Sequence, residues 1–177
     1  MSIRDEKESF LANVESIKAG YRSWGDVQIQ EIVLRDSLPT QDVKLYQAIF
    51  AAKKSVQCIL VTKQEYGSAL REEVPPILDD QAQLLGVSIR IAKDAGIASV
   101  IRALNNRFAA VLPDGRCLCI GSTVDDAYIA AQLLEKTAKA WTEAKYLGGA
   151  KSINRLEAWG MQMYYQFKYA KEAKKNR

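Results

Sequence analysis

Residues 109–128 read AAVLPDGRCLCIGSTVDDAY and contain the signals that decide the fold. Pro113-Asp114-Gly115 is a tight-turn sequence, and the apolar runs on either side of it, 107–112 and 116–120, predict an antiparallel hairpin. Ser122-Thr123 followed by two aspartates is a helix-capping pattern, so a long helix is expected to follow the second strand. A hairpin that leads directly into a long helix indicates a sheet covered by helices.

The rest of the chain alternates strand-like and helix-like segments around this unit. Strands are expected at residues 27–34, 56–62 and 86–91, and the second is a near-continuous apolar run, typical of a strand covered on both faces. Because the segments alternate and include a hairpin, we predict an α/β protein in which a mixed sheet has helices on both faces. Apolar spacing predicts helices over residues 5–20, after Thr40, around 66–71, over 97–105, from Ser122 to Gly148, and from Ser152 onward.

Composition excludes several classes of function. The chain has 177 residues, 48% of them hydrophobic and 26% charged, so a single domain over residues 1–177 is expected. It has no histidine, which removes the commonest transition-metal ligand and every Ser-His or Cys-His catalytic pair. The net charge of +4 is concentrated in a basic helical tail, residues 168–177, typical of a solvated helix end. Nucleic-acid binding is therefore not expected.

The cysteines and the apolar runs indicate the compartment. Cys58, Cys117 and Cys119 form an odd set without a CxxC pair and lie in apolar strand-like runs, so buried free thiols are expected. The first residues are charged where a signal peptide needs an apolar stretch, and no run approaches the roughly 20 apolar residues of a membrane span. The sequence thus predicts a cytoplasmic protein without membrane association.

Four segments in the middle of the chain carry a resemblance to a known family. Leu38-Pro39-Thr40-Gln41-Asp42 is similar to an LPSSE-type segment, and Leu60-Val61-Thr62-Lys63 is similar to a V-H-x-H strand end. Val74-Pro75-Pro76 matches a short proline-containing stretch. Residues 110–128 are similar to an asparagine-His-Gly hairpin with a closing glycine and a T-x-E-E-A helix start. On these segments the sequence resembles the class II aldolase/adducin family, best known from fuculose-phosphate and related sugar-phosphate aldolases.

The resemblance implies a fold and a catalytic centre. The fold is a three-layer α/β/α sandwich around a mainly antiparallel central sheet, assembled as a cyclic tetramer with active sites between subunits. The centre is a zinc ion held by three histidines, with a carboxylate that moves a proton and loops that hold phosphate. Carried over by position, the metal ligands fall on Val61, Lys63 and Gly115, or on Arg116 if the turn is shifted by one, and the carboxylate falls on Asp42. No zinc ligand survives, so no metal or other cofactor is expected.

Two classes of function follow from this comparison. Loss of the three ligands together with the phosphate loops predicts a degenerate, non-catalytic member that acts in small-molecule binding or assembly, as a homo-oligomer and by the family pattern a tetramer. The alternative is a metal-independent aldolase or lyase in which Asp42 and Lys63 act on a small carbonyl or sugar-derived substrate, with Lys63 as a pocket ammonium or a Schiff-base lysine.

The candidate site residues also have plainer interpretations. Asp42 suits the positive end of a helix dipole, and Lys63 suits a strand end that points into solvent. The ungapped spacing between them nevertheless predicts that the two side chains lie close enough to interact. The residues expected to line the pocket are Val61, Gly115, Arg116 and, from the last helix, Tyr164, whose other interpretation is packing in the core or at an interface.

Overall fold

The computed structural model describes residues 27–35 and 42–175, with side chains as far as residue 168. In this part of the chain five strands form one sheet: β1 (Val27–Leu34), β2 (Cys58–Gln64), β3 (Arg90–Ile91), β4 (Ala109–Val111) and β5 (Cys117–Gly121). Their order is β1-β2-β5-β4-β3, so β1 lies at an edge. Only β3 and β4 pair in parallel. The sheet is therefore mixed and mainly antiparallel.

Helices cover both faces of this sheet. The helices of the described residues are α1 (Val43–Ala52), α2 (Ile97–Ala103), α3 (Val124–Tyr146) and α4 (Arg155–Lys175). On one face, α3 packs through Leu134 against the strand residues Leu60 and Cys119. On the other face, α1 and α2 pack against Ile59 and its neighbours. These three layers confirm the α/β/α sandwich. The helix expected over residues 5–20 lies outside the described residues. Thr40, the expected start of the helix that became α1, also lies outside them.

The unit formed by the hairpin and the long helix is as the sequence predicts. Gly115 takes a φ of 85° in the turn, which a glycine adopts without strain. The Thr123 side chain accepts the Asp126 backbone N–H, and the Asp126 carboxylate accepts the Thr123 backbone N–H, a complete capping box. The helix ends at Tyr146, before Gly148 and Gly149, both of which have positive φ. The local signals therefore locate this unit from turn to helix end.

The strand expected over residues 86–91 is the clearest difference. Only Arg90–Ile91 pairs with β4, while Ile89 forms a single bridge to Val74. A π-helical turn, Gln81–Leu85, comes just before this segment, and Gly86 leaves it with a φ of 104°. The alternating pattern did not predict burial here, because Ser88 is buried beside Ile89 while Val87 and Ile91 are only partly buried, and the chain leaves the turn at Gly86 too late to form a full strand.

Two helical segments are also shorter than expected. The stretch around residues 66–71 is a single 3-10 turn, Gly67–Ala69, because the Glu135 carboxylate accepts the backbone N–H groups of Tyr66 and Gly67. The last helix begins at Arg155 rather than Ser152. Its start is delayed because the Ile153 backbone N–H donates to the carbonyl oxygen of Pro76 at 2.7 Å, which holds the preceding residues in an extended connection.

The expectations for cysteines and for membrane segments concern the same part of the chain. Cys58, Cys117 and Cys119 are buried and free, as the sequence predicts. Burial raises the pKa of the Cys58 thiol and of the Cys117 thiol to about 12 in each case. Among the helices that the structure describes, none combines the length and the apolarity needed to cross a bilayer. The thiols are thus core groups, protonated at neutral pH.

Candidate functional site

The start of α1 and the β4–β5 turn bring Asp42 and Arg116 together. Arg116 Nη2 lies 3.5 Å from Asp42 Oδ2, and Arg116 Nε donates to Asp114 Oδ2 at 2.7 Å. One guanidinium therefore contacts two carboxylates. We call Asp42, Asp114 and Arg116 the Arg116 cluster.

Asp42 does not cap α1 in the way its sequence position indicates. Its side chain forms no capping hydrogen bond, and the residue is left-handed, with a φ of 47°. Its carbonyl oxygen, not its carboxylate, accepts the first backbone N–H groups of the helix, from Leu45 at 2.8 Å and Tyr46 at 3.1 Å. The carboxylate is instead turned towards Arg116. Placing Asp42 at the helix dipole does not predict this partner, because Arg116 is distant from Asp42 in the sequence.

The charges within the Arg116 cluster stabilise one another. Burial by itself would lower the pKa of Arg116, but the hydrogen bond and charge of Asp114, with the charge of Asp42, raise it overall. Burial by itself would likewise raise the pKa of Asp114, but the hydrogen bonds from Arg116 lower it below its ordinary value. Arg116 and Asp114 are thus both held in their ionised forms around neutral pH.

A second polar pair lies beside this cluster. The Tyr46 hydroxyl donates to Glu31 Oε2 at 2.7 Å, from a side chain that is almost fully buried. Burial first, and then the hydrogen bond to Glu31, raise the pKa of Tyr46 well above its ordinary value. Sequence reasoning missed this pair because a β-bulge between Ile29 and Glu31 shifts the alternation of the edge strand, so that Val27 and Ile29 pack in one core cluster and Val33 packs with Tyr46 in the other. A carboxylate on a strand face that is otherwise apolar needs a partner.

A cavity of about 420 Å³ opens next to the Arg116 cluster. Its polar lining consists of Asp42, Asp114, Arg116 and Lys44, and side chains of α1, α2 and the hairpin, such as Leu45 and Ile97, form its apolar walls. Its size lies within the usual range for small-molecule sites. The arrangement can bind a small molecule that has both polar and apolar parts.

The other residues expected to line a pocket lie elsewhere. Val61 is buried in the core beneath α1 and α2. Gly115 serves the turn, because a Cβ there would lie 3.1 Å from the carbonyl oxygen of Ser68 and its φ is positive. Tyr164 is 72% exposed on α4. Of the expected lining residues, only Arg116 lies on the wall of the 420 Å³ cavity.

Lys63 forms no ion pair with the Arg116 cluster among the described residues, although the β2–β5 register, with Thr62 opposite Cys117, brings its backbone next to that of Arg116. It is exposed on β2, opposite Gln28 in the strand register. No ion pair joins it to Asp42, whose cationic partner in the described residues is Arg116. Alternation along β2 does place Lys63 on the same face as Val61, as expected from strand geometry.

The residues in the positions of the family's metal ligands do not fit a zinc ion. Val61 and Gly115 offer no donor atom, and the lysine and arginine side chains are cations. Within residues 27–35 and 42–168, no group of three or more His, Cys, Asp or Glu side chains could hold a metal ion.

A double-mutant cycle should detect the Asp42–Arg116 pair. We expect Asp42→Asn and Arg116→Met to show a coupling free energy of about 0.5 kcal/mol in urea unfolding, because the pair is only half-buried. Asp42→Asn combined with Lys63→Met is the matched control, and its coupling should be near zero. A larger coupling to Lys63 than to Arg116 would contradict the geometry.

Comparison with known families identifies the frame of this site. The family model described as the class II aldolase and adducin N-terminal domain matches residues 1–142. The match includes all of the Arg116 cluster and ends within α3, so α4 lies outside it. No curated protein sequence matches the chain at a significant level.

Solved structures show the same frame. The chain is similar to an L-fuculose 1-phosphate aldolase, with 18% identity and a TM-score of 0.67 over 74% of this chain and 66% of that one. An L-fuculose 1-phosphate aldolase from Glaciozyma antarctica PI12 shows 23% identity and a TM-score of 0.57, over 68% and 49% of the two chains. One from Thermus thermophilus shows 17% identity and a TM-score of 0.51, over 70% and 72%.

These likenesses establish the fold. The aligned chain spans just under two thirds of the first of these relatives and about half of the second. What the chain shares with these structures is the sheet and the helices that cover it.

Proposed function

Because the chain belongs to the class II aldolase and adducin N-terminal domain family, we propose that it is a non-catalytic member that acts in small-molecule binding and in assembly. The observation that carries this proposal is the ion pair between Arg116 and Asp42, at 3.5 Å. The resemblance gives Asp42 the proton-transfer position and places Arg116 at or next to a metal-ligand position. In this chain the two groups bind each other.

The chemistry of aldol cleavage explains why this pairing argues against catalysis. The reaction needs a positively charged group beside the carbonyl oxygen, which gains negative charge, and a base that can accept a proton from the substrate. Arg116 could supply positive charge, but it already faces the carboxylates of Asp42 and Asp114. Asp42 could supply the base, but a substrate would first have to displace its guanidinium partner. The cluster therefore offers a bound molecule polar contacts rather than a reactive centre.

The 420 Å³ cavity supports a binding role. Its polar lining combines two carboxylates with the Arg116 guanidinium and the Lys44 ammonium, and the rest of its wall is mostly apolar. Such a site suits a small molecule with hydroxyl or carbonyl groups, the groups found in the sugar part of L-fuculose 1-phosphate, for which a structural relative is named. The ligand is thus expected to contact Asp42, Asp114 and Arg116 through hydrogen bonds.

The exposed face of α4 supports assembly. Leu156, Trp159, Met163 and Phe167 are large apolar side chains that are exposed on this helix, and we call them the α4 apolar face. A contiguous apolar face of this kind is typical of an interface. We propose that a second copy of the chain covers it, within a homo-oligomer that the family pattern makes a tetramer. The three buried free thiols fit a reducing compartment such as the cytoplasm.

An activity assay with and without zinc tests the proposal. We expect no cleavage of L-fuculose 1-phosphate by the purified protein above the uncatalysed rate, and no change in melting temperature on adding a chelator. An L-fuculose 1-phosphate aldolase assayed in parallel is the positive control. Zinc-dependent cleavage would overturn the proposal. Zinc-independent cleavage that is lost in Lys63→Met would support the metal-independent lyase instead.

A further inference from the structure

A second cavity, of about 530 Å³, lies at the other end of α1 and β5 from the Arg116 cluster. Lys53 follows the last residue of α1, and Gly121 ends β5, and both lie on its wall. Since α1 has ten residues, about 15 Å of helix separates the two cavities. Tyr165 and Gln166 of α4 complete the wall. Part of this cavity is therefore built by a helix outside the residues that match the family model.

The cavity contains a buried arginine with spare donors. Arg107 is 3% exposed. Its Nε and Nη2 donate to Ser88 Oγ at 3.1 and 2.7 Å, and its Nη1 donates to the carbonyl oxygen of Asn105 at 2.9 Å. A guanidinium has five N–H donors, so these contacts leave two of them without a partner among the described residues. Buried donors of this kind are usually satisfied.

No carboxylate neutralises the cations on this wall. Neither Arg107 nor Lys53 forms an ion pair with any residue of the described ranges. The negative charge of Glu73 raises the pKa of Arg107, but Glu73 is paired with two other cations. Its Oε1 lies 3.7 Å from Arg90 Nε and 3.9 Å from Arg155 Nη2.

The acidic side chain that lines this cavity, Asp126, already accepts hydrogen bonds from its own segment. Asp126 accepts hydrogen bonds from the Thr123 backbone N–H, at 3.2 Å, and from the Ser122 hydroxyl. It caps α3 rather than pairing with either cation. The wall therefore carries an excess of positive charge.

Burial disfavours the charged forms of Arg107 and Lys53. Burial, assisted by the positive charge of Arg90, lowers the pKa of Arg107 to about 10. Burial, assisted by the charge of Arg107, also lowers the pKa of Lys53. A bound anion would raise both pKa values again, because it would supply negative charge beside the two cations and accept hydrogen bonds from the spare N–H donors of Arg107.

We propose that this second cavity binds a small organic anion, a carboxylate or a phosphate monoester with an apolar body. Lys53 and Arg107 hold the anionic group. The apolar body lies against Val56, Phe108 and Ile120, which line the same cavity. This site is separate from the Arg116 cluster, so the inference does not depend on the function proposed for that cluster.

Calorimetric titration of the full chain tests the site, with phenyl phosphate, benzoate and benzyl alcohol as probes. We expect both anions to bind more tightly than benzyl alcohol, and the stronger of the two identifies the head group. Lys53→Met should weaken anion binding roughly tenfold or more, the value of one charge-assisted hydrogen bond. Lys54→Met removes a neighbouring lysine that is exposed and does not line the cavity, and it should leave the affinity unchanged.

Three results would overturn the proposal. One is equal affinity for benzyl alcohol and the anions, which would mean an apolar site without charge selection. Another is unchanged anion binding in Lys53→Met. The third is loss of anion binding in Arg116→Met but not in Lys53→Met, which would place the anion in the other cavity.

Discussion

Replacement of Gly121 by alanine is expected to lower the free energy of unfolding by about 3 kcal/mol, the upper end of the usual range for overpacking. Gly121 ends β5 where the chain turns into α3. A Cβ at this position would lie 2.4 Å from the backbone nitrogen of Ala127 and 2.7 Å from the carbonyl oxygen of Thr123. Because these atoms belong to the first turn of α3, relief requires the helix to move away from the sheet.

Gly160 of α4 provides the matched control for this substitution within one protomer. A Cβ there would have no atom of the same chain within 4 Å, so Gly160→Ala, measured at a concentration where the chains are dissociated, should stabilise the protomer by about 0.5–1 kcal/mol through the lower entropy of the unfolded chain and better helix propensity. Urea unfolding followed by circular dichroism measures both variants. If Gly121→Ala stays within about 0.5 kcal/mol of the wild type, the usual span of neutral surface changes, the strand and helix are not packed as closely as described.

The same region shows why so much of the fold could be predicted from the sequence. The turn at Gly115, the closing Gly121 and the capping box of Thr123 and Asp126 are contacts between residues that are close in the sequence. Such contacts depend on local residue types, which a single sequence displays directly. The layers then follow, because each apolar stripe must be covered by another element.

The candidate site could be predicted only in part, because its contacts join distant segments. The resemblance placed Asp42 and Arg116 in one pocket, and their ion pair lies there. The same argument paired Asp42 with Lys63, and the described residues show no ion pair between them; alternation along a strand fixes a side chain's face but not the direction of a long flexible chain.

The cavity lined by Lys53 and Arg107 could not be predicted from the sequence, for a different reason. Arg107 reads as one more charged residue at the start of a hairpin strand, and Lys53 as one of two lysines after a helix. Their importance lies in what surrounds them: burial, a serine partner and the absence of a carboxylate within the described ranges. Satisfaction of buried charges is a property of packing, and no local pattern reports it.

The α4 apolar face leads to a second large expected effect. Leu156, Trp159, Met163 and Phe167 recur at three- and four-residue intervals, so they form one stripe along the helix. The opposite side of α4 carries the buried Ala158 and Gln162, and Gln162 donates to the carbonyl oxygen of Asn106 at 3.0 Å. The protomer thus uses one side of α4 for its own packing and leaves the other side, with Leu156 74% and Phe167 73% exposed, for a partner.

We expect the wild-type chain to sediment as a homo-oligomer at micromolar concentration and the variant Trp159→Glu/Phe167→Glu to sediment as a monomer. Two aromatic anchors of an interface each contribute about 2 kcal/mol, so the dissociation constant should rise roughly thousandfold. The variant should keep the wild-type circular dichroism spectrum, because both side chains are largely exposed in the protomer.

Lys168→Glu separates the loss of apolar contact from the change in charge. It lowers the net charge by two, as the double variant does, at an exposed position of the same helix outside the α4 apolar face. If charge alone drove dissociation, this control would also sediment as a monomer; if the face is the interface, it stays assembled. A wild-type chain that is monomeric at micromolar concentration would contradict assembly altogether. A double variant that remains assembled would instead place the interface on another surface, because two buried carboxylates without partners cannot be tolerated at the centre of a stable contact.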